Sequence, residues 1–257
     1  LASLQHENLV QVYSSGLLAE QVPYIVMESL DGMTLETVVK NLGRLSWERT
    51  AKIALQICKG MQYAHSNGII HRDLKPSNIM LLDKPEIDFV KVIDFGLARS
   101  SFAEKGAGQV TTTSTNTATG TIVGSPAYMS PELCDGFKPD VRSDIYALAC
   151  VIYECLTGHP PFDTQDTINL LYRHKCEIPR LISQQVEGES LPANLDAVVL
   201  KALEKSPKDR YADMTEFAEA INDLLLNNTL KFDPASVSSI IAATSASDAK
   251  FFSSYYF

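Results

Sequence analysis

The segment DIYALACVIYECLTG sets the tightest limit on how this chain folds. From Ile145 to Leu156 it is apolar except for Glu154, and it is too short to cross a bilayer, which takes about 20 residues. It therefore reads as a buried core helix around which a globular protein is built. At 257 residues the chain holds one large domain or two small ones. An apolar content of 45% and a charged content of 21% are those of an ordinary globular protein. The net charge of −9, with no basic stripe to offset it, argues against a nucleic-acid partner. Five cysteines (58, 134, 150, 155 and 176) form no CxxC pair and no even framework, so they read as reduced, mostly buried thiols of a cytoplasmic protein. No signal peptide is expected. The chain opens at Leu1 without a methionine, in LASLQHENLV, which reads as the end of a helix already in progress, so the sequence is expected to be a fragment.

LVQVYS and PYIVME are short strand-like runs separated by a loop with Gly16 and Pro23. After Gly32 the pattern turns helical. Thr34 can cap a short helix and Ser46 a longer one to about Ser66, with Ile53, Ile57, Met61 and Ala64 at helical spacing and Asn67-Gly68 as its stop. Strand-like pieces IIH, NIMLL and VKVID follow. Residues 100–121, rich in Thr, Ser, Gly and Ala, read as a long loop. Helical patterns resume at 142–157, about 164–175, 194–205 and 214–226. From 227 to 257 the chain is small and polar with scattered aromatics and reads as a linker or disordered tail.

The chemistry sits in HRDLKPSNIM, His71 to Met80. Phosphoryl transfer to a hydroxyl needs a carboxylate near the attacking oxygen, cations on the phosphates, metal ligands and an adenine pocket. Asp73 can orient the hydroxyl and accept its proton, and Lys75 can neutralise charge on the transferred group. Asn78 and Asp94, the latter in VIDFG, offer oxygens to Mg²⁺, a hard cation that keeps waters. Taken singly, each has a duller reading: Asp73 as a turn former, Asn78 as a local cap, Asp94 as a hairpin corner.

HRDLKPSN, then DFG, then GSPAYMSPE, SDIYAL and KDR, in this order, resemble the protein kinase family over residues 1 to about 226. The lysine two residues after Asp73 resembles the Ser/Thr-specific class. The style of RSDIYALACVIYECLTGHPPF is similar to bacterial eukaryotic-like kinases. The resemblance implies an α+β fold with a mostly helical C-lobe (31–226, activation segment 94–132), a two-stranded remnant of the N-lobe (1–30) and a tail (227–257). It implies ATP and Mg²⁺, with Mn²⁺ as the alternative metal. Asp73, Lys75 and Asn78 take catalytic positions, and Asn78 and Asp94 hold the metal. Met27 takes the gatekeeper position; the backbones of Glu28 and Leu30 meet the adenine edge; Met80 forms its floor, and Ile93 lines the pocket. For Met27 and Met80 plain core packing stays open. His71 and Phe95 match a stacked apolar spine to which Leu1 would also belong. Glu132 and Arg210 match a buried ion pair, and Asp144 the residue holding the HRD backbone.

For regulation, the resemblance implies that Arg72 receives a phosphate from the activation loop, with Thr117 and Thr119, seven and five residues before Gly124, as the autophosphorylated pair. Ser125 stands in for a threonine facing Asp73. The partners implied are proteins carrying Ser or Thr and a second copy of the kinase domain, with no membrane segment in 1–257; a segment beyond 257 could tether the whole protein. The glycine-rich loop, the strand lysine and the helix-C glutamate find no match, so the chain alone is expected to be inactive, with a frayed, sticky top. A pseudokinase or binding lobe is the alternative reading, and a small-molecule phosphotransferase a third.

Overall fold

The computed structural model describes residues 4–18, 22–82, 88–95, 125–186, 188 and 191–226. The expectations on Leu1, on the loop 100–121 with Thr117 and Thr119, and on the tail 227–257 lie outside the described residues.

Two strands open the chain, β1 (Val12–Leu17) and β2 (Pro23–Met27), followed by β3 (Gly32–Thr34), α1 (Leu35–Leu42) and α2 (Trp47–Ser66). β4 (Ile79–Leu82) and β5 (Phe89–Val92) follow. The helices α3 (Pro131–Cys134), α4 (Val141–Thr157), α5 (Thr167–Cys176), α6 (Leu195–Ala202) and α7 (Met214–Leu226) complete the described elements, apart from single 3-10 turns. The architecture is α+β: a helical body carrying a three-stranded sheet in the order β3-β4-β5 and a separate β1–β2 ribbon.

α4 is the centre of the body. Residues 143–153, Cys155 and Leu156 are all buried in it, as a helix apolar on every side must be. It starts in a capping box in which Asp140 accepts the Arg142 N–H and Ser143 returns a bond to Asp140 N–H. It stops at Gly158, whose φ of 83° a side chain tolerates poorly and whose missing Cβ leaves room for the Gly43 carbonyl. α2 buries Ile53, Ile57, Met61 and Ala64 against α4, α7 and β5. Ser46 caps it by accepting the Arg49 N–H, and Asn67 and Gly68 end it.

Several boundaries differ from the sequence reading. The helix starts at Leu35 under the expected Thr34 cap, but an unexpected strand, β3, precedes it: Gly32, at φ 156°, lies so close to the Leu81 backbone that only a residue without a Cβ pairs there, and Met33 and Thr34 continue the ladder with Leu81 and Met80. IIH is not a strand, because Asp144 takes the His71 and Arg72 N–H groups that a neighbouring strand would need. α5 begins at Thr167, where Asp166 accepts the Ile168 and Asn169 N–H groups. α6 ends at Ala202 ahead of Ser206-Pro207, since a residue before proline is driven out of the helical region.

The β1–β2 ribbon is paired along its length, with one irregularity between Val12 and Ser14. Every residue of β2 is nevertheless exposed, and Tyr13, Leu17, Ile25 and Val26 present apolar surface to solvent. Its base is fixed to the body: Val92 N–H donates to Asn8 O, Val10 N–H to Val92 O, and Lys91 Nζ reaches both Leu9 O and Glu28 Oε1.

Candidate active site

Asp73, Lys75 and Asn78 meet because the chain turns sharply between two fixed points. The first is Arg72, at φ 70°, a conformation non-glycine residues seldom adopt. The Asp144 carboxylate holds it there, Oδ1 accepting the Arg72 N–H and Oδ2 the His71 N–H, each at 2.9 Å. The second is the 3-10 turn Pro76–Asn78, where proline presets φ and the Asn78 N–H donates to Lys75 O. Between them Lys75 Nζ lies 2.9 Å from Asp73 Oδ2, with both side chains about a quarter exposed. The buried Asn78 amide donates to Asp73 O at 2.9 Å. That bond fixes which end of the amide is nitrogen and frees Oδ1 to act as a hard oxygen ligand.

Asp94 has the same backbone device, φ 56°. The turn exposes Asp94 while Phe95 packs, 5% exposed, on the His71 ring at a centroid distance of 4.8 Å. His71 is locked from every side. Its Nε2 donates to Ile93 O at 3.0 Å and its Nδ1 accepts the Asp73 N–H at 3.3 Å. Burial holds its pKa below the usual histidine value, so the ring is a neutral connector between the two acidic segments. The Ile93 N–H completes the link by donating to Asn78 O. The oxygens of Asn78 and Asp94 suit a cation such as Mg²⁺ that retains part of its water shell. Among the described residues no cluster of three His, Cys, Asp or Glu side chains forms a denser metal site.

Residue 125 brings in the third segment. Lys75 Nζ also donates to Ser125 Oγ at 2.8 Å, across 50 residues of sequence. Ser125 starts the 3-10 turn Pro126–Tyr128. Tyr128 donates its hydroxyl to Glu154 Oε2 at 2.6 Å, which gives the single acid of the apolar run Ile145–Leu156 its partner. Burial raises the Glu154 pKa, against the lowering effect of that bond. Glu132 binds Arg210 through two nitrogens at 2.9 and 2.7 Å, and Ser143 donates to the same carboxylate. Burial alone would raise the Glu132 pKa; the guanidinium outweighs it and holds the carboxyl below its ordinary range.

The expected adenine-side residues are less gathered. Glu28 turns its side chain to Lys91 at 2.6 Å and to the Gln11 N–H. Leu30, half-buried, lines with Glu28, Ser29 and Asp31 an open groove of about 550 Å³ against Leu82, Phe89 and Lys91. Met80 shares the face of β4 with Leu82, but neither it nor Met27 nor Ile93 lines this groove. Met27 ends β2, 39% exposed. Arg72 has an exposed side chain.

Sequence reasoning missed His65, Tyr128, Glu154, His174 and Lys205. His65, 4% exposed, places Nε2 2.8 Å from Asp144 Oδ2, a third donor on the carboxylate that shapes the turn. Only Glu154 left a local signal, as a charge in an apolar run that burial forces to find a partner.

A family profile described as protein kinase domain matches residues 1–225. The Mycobacterium tuberculosis serine/threonine-protein kinase PknB is 42% identical over 218 residues, 84% of this chain and 33% of that protein. A probable serine/threonine-protein kinase of Corynebacterium efficiens is 39% identical over 232 residues, 88% of this chain and 33% of its own length. The chain thus spans about a third of the length of these curated relatives. The crystal structure of the Mycobacterium tuberculosis PknI kinase domain superposes with a TM-score of 0.65 at 26% identity, covering 87% of this chain and 74% of that one. By its matched length, its helical body and its order of motifs, the chain belongs to the protein kinase domain family.

Proposed function

We propose that the protein transfers the γ-phosphate of ATP to serine and threonine hydroxyls of proteins. The observation that carries this reading is the double engagement of Lys75, which holds the Asp73 carboxylate and the Ser125 hydroxyl at once. One cation so joins the acid that would receive the hydroxyl proton to the segment on which an acceptor peptide would lie. Asp73 orients the attacking hydroxyl and takes its proton. Lys75 stabilises negative charge on the group in transfer. Asn78 and Asp94 hold Mg²⁺, or Mn²⁺ in its place, and the metal when bound neutralises phosphate charge. The backbones of Glu28 and Leu30 receive the adenine edge, with Met27, Met80 and Ile93 as apolar lining. Residues 1–30, 31–226 and 227–257 act as upper remnant, catalytic body and tail.

Phosphate added to Thr117 or Thr119 by the protein itself would pair with Arg72, whose backbone Asp144 already fixes. Residues 1–257 contain no GxGxxG loop over the phosphates, so the 257-residue chain alone is expected to transfer phosphate slowly at best. The test is intact mass after incubation with Mg²⁺ and ATP, comparing this chain, the full-length protein and its Asp73→Asn variant. Mass gains in steps of one phosphate, present in the full-length protein and absent from the variant, support the reading. No gain in the full-length protein, and none on added protein acceptors, sinks it in favour of a binding lobe.

A further inference from the structure

β5 alternates residue by residue. Val90 and Val92 are buried in the body, and Phe89 and Lys91 take the opposite face. The Lys91 side chain is only 13% exposed, so its ammonium needs partners close at hand. It finds them on other segments: Nζ lies 2.6 Å from Glu28 Oε1 and donates to Leu9 O at 3.1 Å. Glu28, itself mostly shielded, uses the same Oε1 to accept the Gln11 N–H at 2.8 Å. The Glu28 N–H donates in return to Gln11 O at 3.0 Å. The carboxylate thus does at Gln11 what a strand carbonyl would do, and a two-way rung extends the β1–β2 ladder past the Val12–Met27 pair.

These bonds make Lys91 the meeting point of the opening segment, the residue that follows β2, and β5. Met80 stands directly across the ladder from Lys91. The next residue, Val92, accepts the Val10 N–H and donates to Asn8 O, and Asp94 follows two residues later. The β1–β2 ribbon and the β3-β4-β5 sheet are separate sheets, so the Lys91 side chain ties Glu28 to β5 where no ladder does. An exposed ion pair would hold little; this one is shielded, and its hydrogen bonds are charge-assisted.

We propose that Lys91 is a positioning residue for the adenine ring: by clamping the Glu28 carboxylate it fixes the backbone that receives the adenine edge, relative to Met80 on β4 and Asp94 beyond β5. This rests on the reading in which the Glu28 and Leu30 backbones meet adenine. A lysine serving stability alone would lower the unfolding midpoint without favouring any ligand. A clamp changes affinity at the adenine end and leaves turnover alone.

The test uses the full-length protein with Lys91→Met, which keeps the stem without the charge, and Lys91→Arg, which keeps the charge. Calorimetry measures the Kd of adenosine and of ATP with Mg²⁺; kinetics vary ATP and a peptide copying residues 109–122 separately. Adenosine carries the adenine edge but no phosphate, so loss of a distant cation cannot weaken it through phosphate charge. Lys91→Met is expected to weaken adenosine and ATP alike by about tenfold, the effect of one hydrogen bond to a charged group, and to raise the ATP KM in step. Its kcat and peptide KM should stay within about twofold, and Lys91→Arg should recover most of the loss. Unchanged adenosine affinity in Lys91→Met overturns the proposal, as does weakening of ATP without adenosine, or a loss confined to kcat. If the wild type binds neither adenosine nor ATP, the assigned activity falls and the proposal with it. If Lys91→Met does not fold, Glu28→Gln decides, since it keeps an acceptor for Gln11 but removes the charge: adenosine binding about threefold weaker supports the clamp, and unchanged binding overturns it.

Discussion

Asp144 holds Arg72 in a left-handed conformation through a single carboxylate-to-backbone bond, Oδ1 to N at 2.9 Å, 72 residues apart in sequence. Its other oxygen takes the His71 N–H and the His65 ring. Asp144→Ala leaves two backbone donors and one ring nitrogen without their acceptor in the interior. It should cost at least about 3 kcal/mol, read as a lower urea midpoint at unchanged slope, and should abolish phosphotransfer as the turn relaxes. His65→Leu removes one of the three donors and should cost less.

Lys75 joins Asp73 to Ser125. In the full-length protein Lys75→Met should lower kcat by about 10²–10³-fold, with a small change in stability. Ser125→Ala should weaken acceptor phosphorylation less, and Ser125→Thr, which keeps the hydroxyl, should match the wild type. Equal activity of the alanine and threonine variants would remove the hydroxyl from the mechanism.

The Glu132–Arg210 pair is closed to solvent on the arginine side, 0% exposed. Arg210→Ala strands a buried carboxylate and should cost about 3–5 kcal/mol. Adding Glu132→Leu to Arg210→Met should recover part of that loss, since no charge is then left unpaired. A double-mutant cycle by urea unfolding measures it.

Acid sensitivity follows from His174 and Glu132. His174 is flanked by Lys205 and Tyr146, with Arg210 nearby, and stays neutral in the fold down to about pH 3. The unfolded chain binds that proton near pH 6.5, so stability falls as pH drops from about 6.5 toward about 3; by pH 5 the loss is about 2 kcal/mol. His174→Gln should lack this component when urea midpoints at pH 7.5 and 5 are compared. Glu132 acts lower: its depressed carboxyl stabilises the fold above its unfolded pKa and loses that stabilisation as pH falls through the folded value.

The β1–β2 ribbon exposes Ile25 and Val26 at 38% and 46%. Ile25→Glu with Val26→Lys should change the stability of the 257-residue chain by no more than about 0.5 kcal/mol each. The same changes should reduce its concentration-dependent association in sedimentation, because an apolar two-stranded ribbon with open edges favours self-contact.

What the sequence determined by itself is local. Thr34, Ser46 and Asn67-Gly68 mark helix ends because capping bonds span two to four residues. Asp73, Lys75 and Asn78 are brought together by a turn that proline and their own spacing favour. β3 escaped notice because its three residues pair only once β4 is beside them. The tertiary structure decided the rest: which hydroxyl meets Lys75, which acid holds Arg72, and which partners answer the charge of Glu154 and the ring of His174. These contacts join residues 26 to 79 positions apart, and no propensity encodes them. They exist because α4 is buried on all sides, so Asp144, Tyr146 and Glu154 find their partners among whatever the packing brings within reach.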